Sequence, residues 1–206
     1  MLDETWSEQY DRMQRSFELL KQVGEPTPMG QVVLPARDVL YHFCCDVFHL
    51  RDWIAATVST DKNHISRICD TLDSEVIKPS VALSACRDIA NGSKHLVLHG
   101  TSYVTGTKQG HSKVVSQGID ISAVERVQLT DTATFTLTRA DGSTIETKSV
   151  APPSAPDPAS TSVHRSDTFV VDINGQPHDA HDVAAKAVAA WDQWLAGPSP
   201  IAAQLR

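Results

Sequence analysis

The sequence has few of the features that mark membrane, collagen-like or secreted proteins. No apolar run approaches the roughly 20 residues of a membrane-spanning helix, and its opening MLDETWSEQY has acids where a secretory signal has lysine or arginine. Glycine (10) and proline (11) are too rare in 206 residues for collagen or low-complexity sequence. With 41% hydrophobic and 21% charged residues, we expect a folded cytoplasmic protein without contact to membranes.

The chain also lacks an excess of positive charge and a disulfide framework. With a formal charge of −7, the surface as a whole does not attract nucleic acid over long distances. The sequence does not exclude a local basic patch. The four cysteines form no C-x-x-C pair, and all lie in sequence with a helical pattern: Cys44, Cys45, Cys69 and Cys86. We expect buried reduced thiols.

The first hundred residues have the apolar spacing of amphipathic helices. Four helices are predicted, and short links between them indicate a bundle. Their expected ranges are 2–24, 36–59, 61–75 and 79–99, with Gly24 and Gly100 at two of the ends and Pro79 in the first turn of the fourth.

After Gly100 the pattern changes to alternation of period two, which predicts strands. Asp141-Gly142 and Asn174-Gly175 are turn signals, and the sequence APPSAPDPAS at 151–160 predicts an exposed, mobile proline-rich loop. The candidate strands are 113–121, 124–129, 132–138 and 143–150, from which two or three antiparallel strands are expected, and a strand at 168–173 and an alanine-rich helix at 182–195 follow.

These patterns predict one α+β domain over residues 1–206. It has a helical part (1–100), a β-rich part with a small antiparallel sheet (101–178), and a C-terminal helix (179–196) that docks on the bundle.

One group of polar residues on the second helix has the spacing of metal ligands. His42, Asp46 and His49, spaced four and three, project from one face of the helix, and a metal-dependent hydrolase would use them together with His95. No H-E-x-x-H motif accompanies them, and partly buried, hydrogen-bonded side chains are the structural alternative.

A denser polar cluster lies on the fourth helix. Arg87, Asp88, Asn91 and His95 fall on one side of it with Lys94 nearby, and they are expected to reach across Gly92 toward His49 and Asp52. Glycine in a helix interior costs about 1 kcal/mol relative to alanine, and such a local violation often marks a functional or close-packing site. The alternative is a buried polar network that fixes helix register.

The strings HLRDW (49–53) and RDIANGSKH (87–95) resemble the HEPN group of helical bacterial and phage proteins. The resemblance covers residues 36–100 and has one departure, because His95 lies further from Arg87 than the usual spacing of that family. It implies a HEPN-like bundle, often dimeric, and a metal-independent endoribonuclease of a toxin–antitoxin or defence system. It also implies RNA as substrate, an antitoxin-type protein or a second copy as partner, and no cofactor.

The resemblance also implies roles for the cluster. His95 would be the general acid or base, Arg87 and Lys94 would stabilise charge on the phosphate, and Asp88 and Asn91 would orient these groups. His49 and Asp52 would support them. Two alternatives to an endoribonuclease stay open: a non-catalytic binding or interaction protein with a buried polar network, and the metal-dependent hydrolase.

Overall fold

The computed structural model describes residues 5–25, 27–28, 35–94, 101–107, 111–123, 133–138, 144–149 and 163–205. The chain divides into two compact units. The first comprises Met1–Glu25, Val32–Asp120 and Ser166–Arg206, and the second comprises Pro26–Gln31 and Ile121–Arg165. The organisation as a single domain stays a prediction.

Helix α1 spans Trp6–Gly24, and α2 spans Ala36–Val58. Helix α2 agrees closely with its predicted ends, and α1 ends at Gly24 as predicted but begins four residues later than predicted. At the start of α1 the Thr5 amide donates to Glu8 Oε2 over 2.7 Å, which is one half of a capping box. Gly24 is the last residue of α1, and a side chain has no room there, because a Cβ would lie 2.7 Å from the imidazole of His181.

The predicted third helix is in fact two elements. Helix α3 (Lys62–Leu72) is capped by Asp61, which accepts a 2.8 Å bond from the His64 amide, and a π-helical turn follows at Asp73–Ile77. The turn is closed by a 2.9 Å bond from the Lys78 amide to the Asp73 carbonyl. It directs Asp73, Val76 and Ile77 into the protein interior.

Helix α4 spans Val81–Lys94 and begins two residues later than predicted. Pro79 lies in the turn before the helix, and Ser80 caps it by accepting a bond of 3.2 Å from the Leu83 amide. The expected end of this helix, at His99, lies outside the described residues.

Within the described residues, six strands form two sheets. In one sheet β5 (Val163–Ile173) pairs with β1 (Thr27–Pro28), β2 (Lys113–Ala123) and β6 (Gln176–Asp179). In the second unit β3 (Ala133–Thr138) and β4 (Thr144–Ser149) form an antiparallel pair. The two-residue strand β1 was not predicted. The predicted strand 124–129, the turn at 141–142 and the loop 151–160 lie outside the described residues.

The turn between β5 and β6 has the predicted chemistry. Asn174 and Gly175 have φ angles of 55° and 77°, so both adopt the left-handed conformation that a two-residue hairpin turn requires. Ile173 pairs with Gln176 across this turn. The Asn-Gly signal therefore marked a real hairpin, although its second strand was not anticipated.

The C-terminal part contains α5 (Ala180–Ala196) and a short helix α6 (Pro200–Leu205) that was not predicted. Asp179 caps α5 by accepting bonds from the His181 and Asp182 amides. Trp191 is fully buried, and its indole donates to the Val47 carbonyl of α2 over 3.1 Å. The helix therefore docks on α2.

The hydrophobic core surrounds α2, which packs against α1, α3, α4 and α5. Its fully buried large side chains include Met13, Leu20, Leu40, Phe43, Leu50, Ile54, Leu72, Ile77, Leu83, Phe169 and Trp191. The α+β class is confirmed, whereas a HEPN-like bundle stays a prediction. No described helix has the length and apolarity to cross a membrane.

The cysteines agree with the prediction in part. All four are free thiols, and Cys44 and Cys86 are buried. Cys45 and Cys69 are partly exposed, which the sequence did not indicate. A hydrogen bond with Cys86, together with burial, raises the pKa of the Cys44 thiol well above its ordinary value, so this thiol stays protonated.

Candidate functional site

The centre of the candidate site is the carboxylate of Asp88, which is completely buried. Its Oδ2 accepts hydrogen bonds from the Ser102 hydroxyl at 2.8 Å and from the Ser112 amide at 3.1 Å. Its Oδ1 lies 3.2 Å from Arg87 Nη1 and 3.2 Å from His111 Nδ1. Four polar groups therefore surround this one carboxylate, and three of them belong to the segment 101–112.

Arg87 has a fixed position beside this carboxylate. Its guanidinium carbon lies 3.8 Å from the centre of the Tyr103 ring, and Nη1 also donates to the Thr101 carbonyl over 3.3 Å. The side chain keeps 15% of its surface exposed. The guanidinium is thus held by an aromatic face, a carbonyl and a carboxylate, while part of it still reaches solvent.

His111 belongs to this site although the sequence did not point to it. It lies two residues before β2, and its side chain keeps 14% of its surface exposed. No helix or strand pattern connects position 111 with position 88. Only the contacts of residues 101–103 and 111–112 with α4 bring the two residues together, so no signal in the sequence could have found this pair.

A second buried carboxylate, Asp73, lies at the start of the π-helical turn. It accepts two bonds from Arg51 Nη1, at 2.9 and 3.0 Å, and one from the Tyr103 hydroxyl at 2.7 Å. Arg51 also donates to Asp52 Oδ1 over 2.8 and 3.0 Å. Tyr103 thus contacts both carboxylate clusters, through its hydroxyl at Asp73 and through its ring at Arg87.

The electrostatics of this second cluster follow from its contacts. Burial acts to lower the pKa of Arg51, but the bonds to Asp73 and Asp52 and the charges of both acids outweigh burial and raise it. Burial, and next the hydrogen bond to Asp73, raise the pKa of Tyr103 above its ordinary value of 10.0. Arg51 is therefore a permanent cation, and the phenol of Tyr103 stays protonated at neutral pH.

The structure brings together only some of the predicted site residues. Arg87 and Asp88 are adjacent, and Asn91 lies partly buried one turn further along α4. Lys94 is the last described residue of α4, and His95 lies outside the described residues. Asp52 binds Arg51 on its own helix, and His49 lies beside Phe48, with ring centroids 6.3 Å apart.

The expected close approach of a neighbouring helix at Gly92 is not found. A Cβ at this position would have no atom within 4 Å, so the glycine is not required for packing against the described residues. The low helix propensity of Gly92 therefore has no explanation in the packing of the described residues.

The alternative metal set gains no support from the structure. Asp46 accepts hydrogen bonds from Ser16 and Gln9 of α1, so its carboxylate joins α1 to α2. His42 is exposed and lines a cavity of about 280 Å³ with Ser16, Leu19 and Asp38. Within the described ranges, no three His, Cys, Asp or Glu side chains are placed to hold a metal ion.

A separate groove of about 550 Å³ lies between the π-helical turn with the two residues before α4, α5, and the segment 197–199 that follows α5. Its lining includes Pro79, Trp194 and Pro198. Glu75 accepts bonds there from the Trp194 indole at 3.1 Å and the Ser199 hydroxyl at 2.9 Å. The groove offers an aromatic and proline-rich surface rather than a cluster of reactive groups.

No protein-family model, curated protein or solved structure matches this chain.

Proposed function

We propose that this chain is a metal-independent endoribonuclease of a bacterial or phage toxin–antitoxin or defence system, with its site at Arg87 and Asp88. The observation that carries the proposal is the buried Asp88 carboxylate, which fixes a partly exposed guanidinium beside an imidazole. The substrate class comes from the resemblance of residues 36–100 to the HEPN group.

The arrangement suits phosphodiester chemistry that needs no metal. A guanidinium matches the oxygens of a phosphate and stabilises the charge that develops on them during cleavage. Asp88 has no exposed surface, so it positions its neighbours and does not touch the substrate. The RNA 2′-hydroxyl is the internal nucleophile, which accounts for selectivity against DNA.

The charge distribution is compatible with an RNA substrate. The net charge of −7 is a property of the whole chain. Around the site the described cations include Arg87 and Lys78, whose ammonium lies 5.0 Å from the centre of the Tyr103 ring. A short cationic surface can hold a few phosphates, and such binding weakens with salt.

Incubation of the purified full chain with mixed cellular RNA in the presence of EDTA tests this proposal. We expect fragments with 2′,3′-cyclic phosphate ends, no cleavage of matched DNA, and loss of cleavage in Arg87→Ala. His95→Ala tests the histidine implied by the resemblance, and His64→Ala on exposed α3 is the matched control. Absence of RNA cleavage by the wild-type chain would show the proposal to be wrong.

A second candidate function is a non-catalytic interaction protein. The groove of about 550 Å³ favours it, because the Trp194 and proline surface could receive a partner segment. In this case Asp88 serves only to hold the 101–112 segment on α4. Asp88→Asn would then lower the melting temperature, and the wild-type chain would show no cleavage.

A further inference from the structure

We propose that Lys78 binds the RNA phosphate next to the scissile one, so that Lys78 and Arg87 form a two-cation site for the RNA backbone. The inference rests on the proposed ribonuclease function and deepens it, because it names a substrate-binding residue that the sequence did not single out. It is carried by the arrangement of Lys78 and Arg87 around the ring of Tyr103 in the first unit.

One aromatic ring brings the two cations close together. Lys78 Nζ lies 5.0 Å and the Arg87 guanidinium carbon 3.8 Å from the centre of the Tyr103 ring. The Tyr103 hydroxyl donates to Asp73 over 2.7 Å, so the ring itself is fixed. Because the face of an aromatic ring attracts cations, this ring keeps both side chains near one part of the surface.

Lys78 combines a fixed backbone with an exposed side chain. It directly follows the π-helical turn, and its amide donates to the Asp73 carbonyl over 2.9 Å. The side chain is exposed, and within the described part of the chain it forms no ion pair. Its ammonium is therefore available to an anion from outside the protein.

Arg87 also keeps part of its binding capacity. The bonds to Asp88 and to the Thr101 carbonyl both use Nη1, and among the described residues Nε and Nη2 have no partner. The side chain keeps 15% of its surface exposed. Asp88 thus fixes the guanidinium without occupying all of its donors.

The chemistry of the two side chains separates their roles. A guanidinium can donate to two oxygens of one phosphate, which suits the phosphate that must be oriented for reaction. An ammonium is a point charge on a flexible stem and contacts a phosphate without fixing its orientation. We therefore assign the scissile phosphate to Arg87 and the neighbouring phosphate to Lys78, in a contact that does not depend on base sequence.

Binding of a 2′-O-methyl RNA to the full chain tests this contact, because such an RNA lacks the nucleophile and stays intact. Fluorescence anisotropy at several salt concentrations gives the affinity and its salt dependence. Lys78→Gln should bind about three- to tenfold more weakly at low salt. The slope of log K against log salt should fall by about 0.7, the value for one phosphate of a single strand.

Two further variants serve as controls in the same assay. Lys78→Arg keeps the positive charge and should keep most of the affinity. Lys186→Gln removes the charge of another exposed lysine, on α5, and should bind as the wild type. All three variants should keep the wild-type melting temperature, because both side chains are exposed.

Cleavage of short substrates connects the contact with the reaction. A dinucleoside monophosphate contains only the scissile phosphate, and the same compound with a 5′- or 3′-terminal phosphate adds a neighbour. We expect the wild type to cleave one of the two longer compounds with a higher kcat/KM. Lys78→Gln should lose this preference, mainly through a higher KM.

The outcomes separate this inference from the proposed function. If Lys78→Gln binds RNA with the affinity and salt slope of the wild type, or if Lys186→Gln loses as much, the inference is wrong and the ribonuclease proposal stands. If the wild type binds RNA through Lys78 but cleaves none, the ribonuclease proposal is wrong and the two-cation site stands. If the wild type binds no RNA, both are wrong.

Discussion

Asp73 and Asp88 are two buried aspartates with similar surroundings and different partners. Each is paired with an arginine, and each is contacted by a residue of the 101–112 segment. At Asp73 the partners are Arg51 and the Tyr103 hydroxyl, and together they use both carboxylate oxygens. At Asp88 one of the partners is a histidine, and part of it reaches solvent.

The fold uses the same arrangement, a buried aspartate paired with an arginine, in two places with different neighbouring groups. Around Asp73 the partners are a guanidinium and a phenol, and the result is a joint between α2, the π-helical turn and the 101–107 segment. Around Asp88 the partners include Arg87 and His111, and both keep part of their side chains exposed. We therefore expect both carboxylates to matter for stability and only Asp88 to matter for chemistry.

The largest expected effect is on stability, and it should be shared by the two sites. Asp73→Ala leaves Arg51 without its buried partner, and Asp88→Ala leaves Arg87, Ser102 and the Ser112 amide without theirs. Each change should lower the free energy of unfolding by about 3 to 5 kcal/mol. Urea denaturation followed by circular dichroism measures this. A loss below about 1 kcal/mol at either site would contradict the buried pairing.

The amide variants should separate the two sites. Asp73→Asn and Asp88→Asn keep the shape of the side chain and remove its charge, with an expected loss of about 1 to 3 kcal/mol each. Well below the melting temperature, Asp73→Asn should still cleave RNA, whereas Asp88→Asn should lose about 100-fold or more because the carboxylate no longer holds the Arg87 guanidinium in place. Equal cleavage rates in the two variants would remove the distinction between the sites.

The smallest effect concerns Tyr103, which touches both sites. Tyr103→Phe removes the bond to Asp73 but keeps the ring beneath Arg87, so we expect a loss of about 1 to 2 kcal/mol and little change in cleavage. Tyr103→Leu also removes the stacking surface and should lower the cleavage rate. If the two variants cleave equally well, the ring does not position Arg87.

Because the pKa of Tyr103 is raised, the difference in stability between the wild type and Tyr103→Phe should depend on pH. The folded state favours the protonated phenol, so its contribution to stability is complete below the ordinary pKa of 10.0 and is lost as the pH rises through the higher folded value. Melting temperatures between neutral pH and pH about 11 should therefore fall more steeply for the wild type than for Tyr103→Phe. Tyr10 also has a raised pKa, from burial and from Asp192, so Tyr10→Phe should reduce the pH dependence in the same direction.

Local patterns predicted the elements that have strong local causes. The apolar spacing of α2 and the Asn174-Gly175 turn both appear where the sequence indicated them, because helix periodicity and positive φ are local properties. The π-helical turn was missed because its extra residue leaves the apolar spacing almost unchanged. Strand β1 was missed because two residues carry no pattern.

Only those residues of the candidate site that lie on α4 could be predicted from the sequence. Arg87 and Asp88 are neighbours in sequence, and their polarity on an apolar helix marked them. The partners of Asp88 lie 14 and 24 residues further along the chain, at Ser102 and Ser112. Periodicity describes single elements and cannot pair a helix with a distant irregular segment, so His111 and Tyr103 became visible only in three dimensions.

The π-helical turn at Asp73–Ile77 makes the number of residues at this point of the chain part of the geometry of the core. Each residue of a helical segment advances the direction of the next by about 100°. A deletion of one residue between Asp73 and Val76 would therefore turn the buried Val76 and Ile77 away from the interior while Asp73 kept its place. At this point of the chain we expect a single deletion to be more damaging than most substitutions, because it changes the direction of several buried side chains at once.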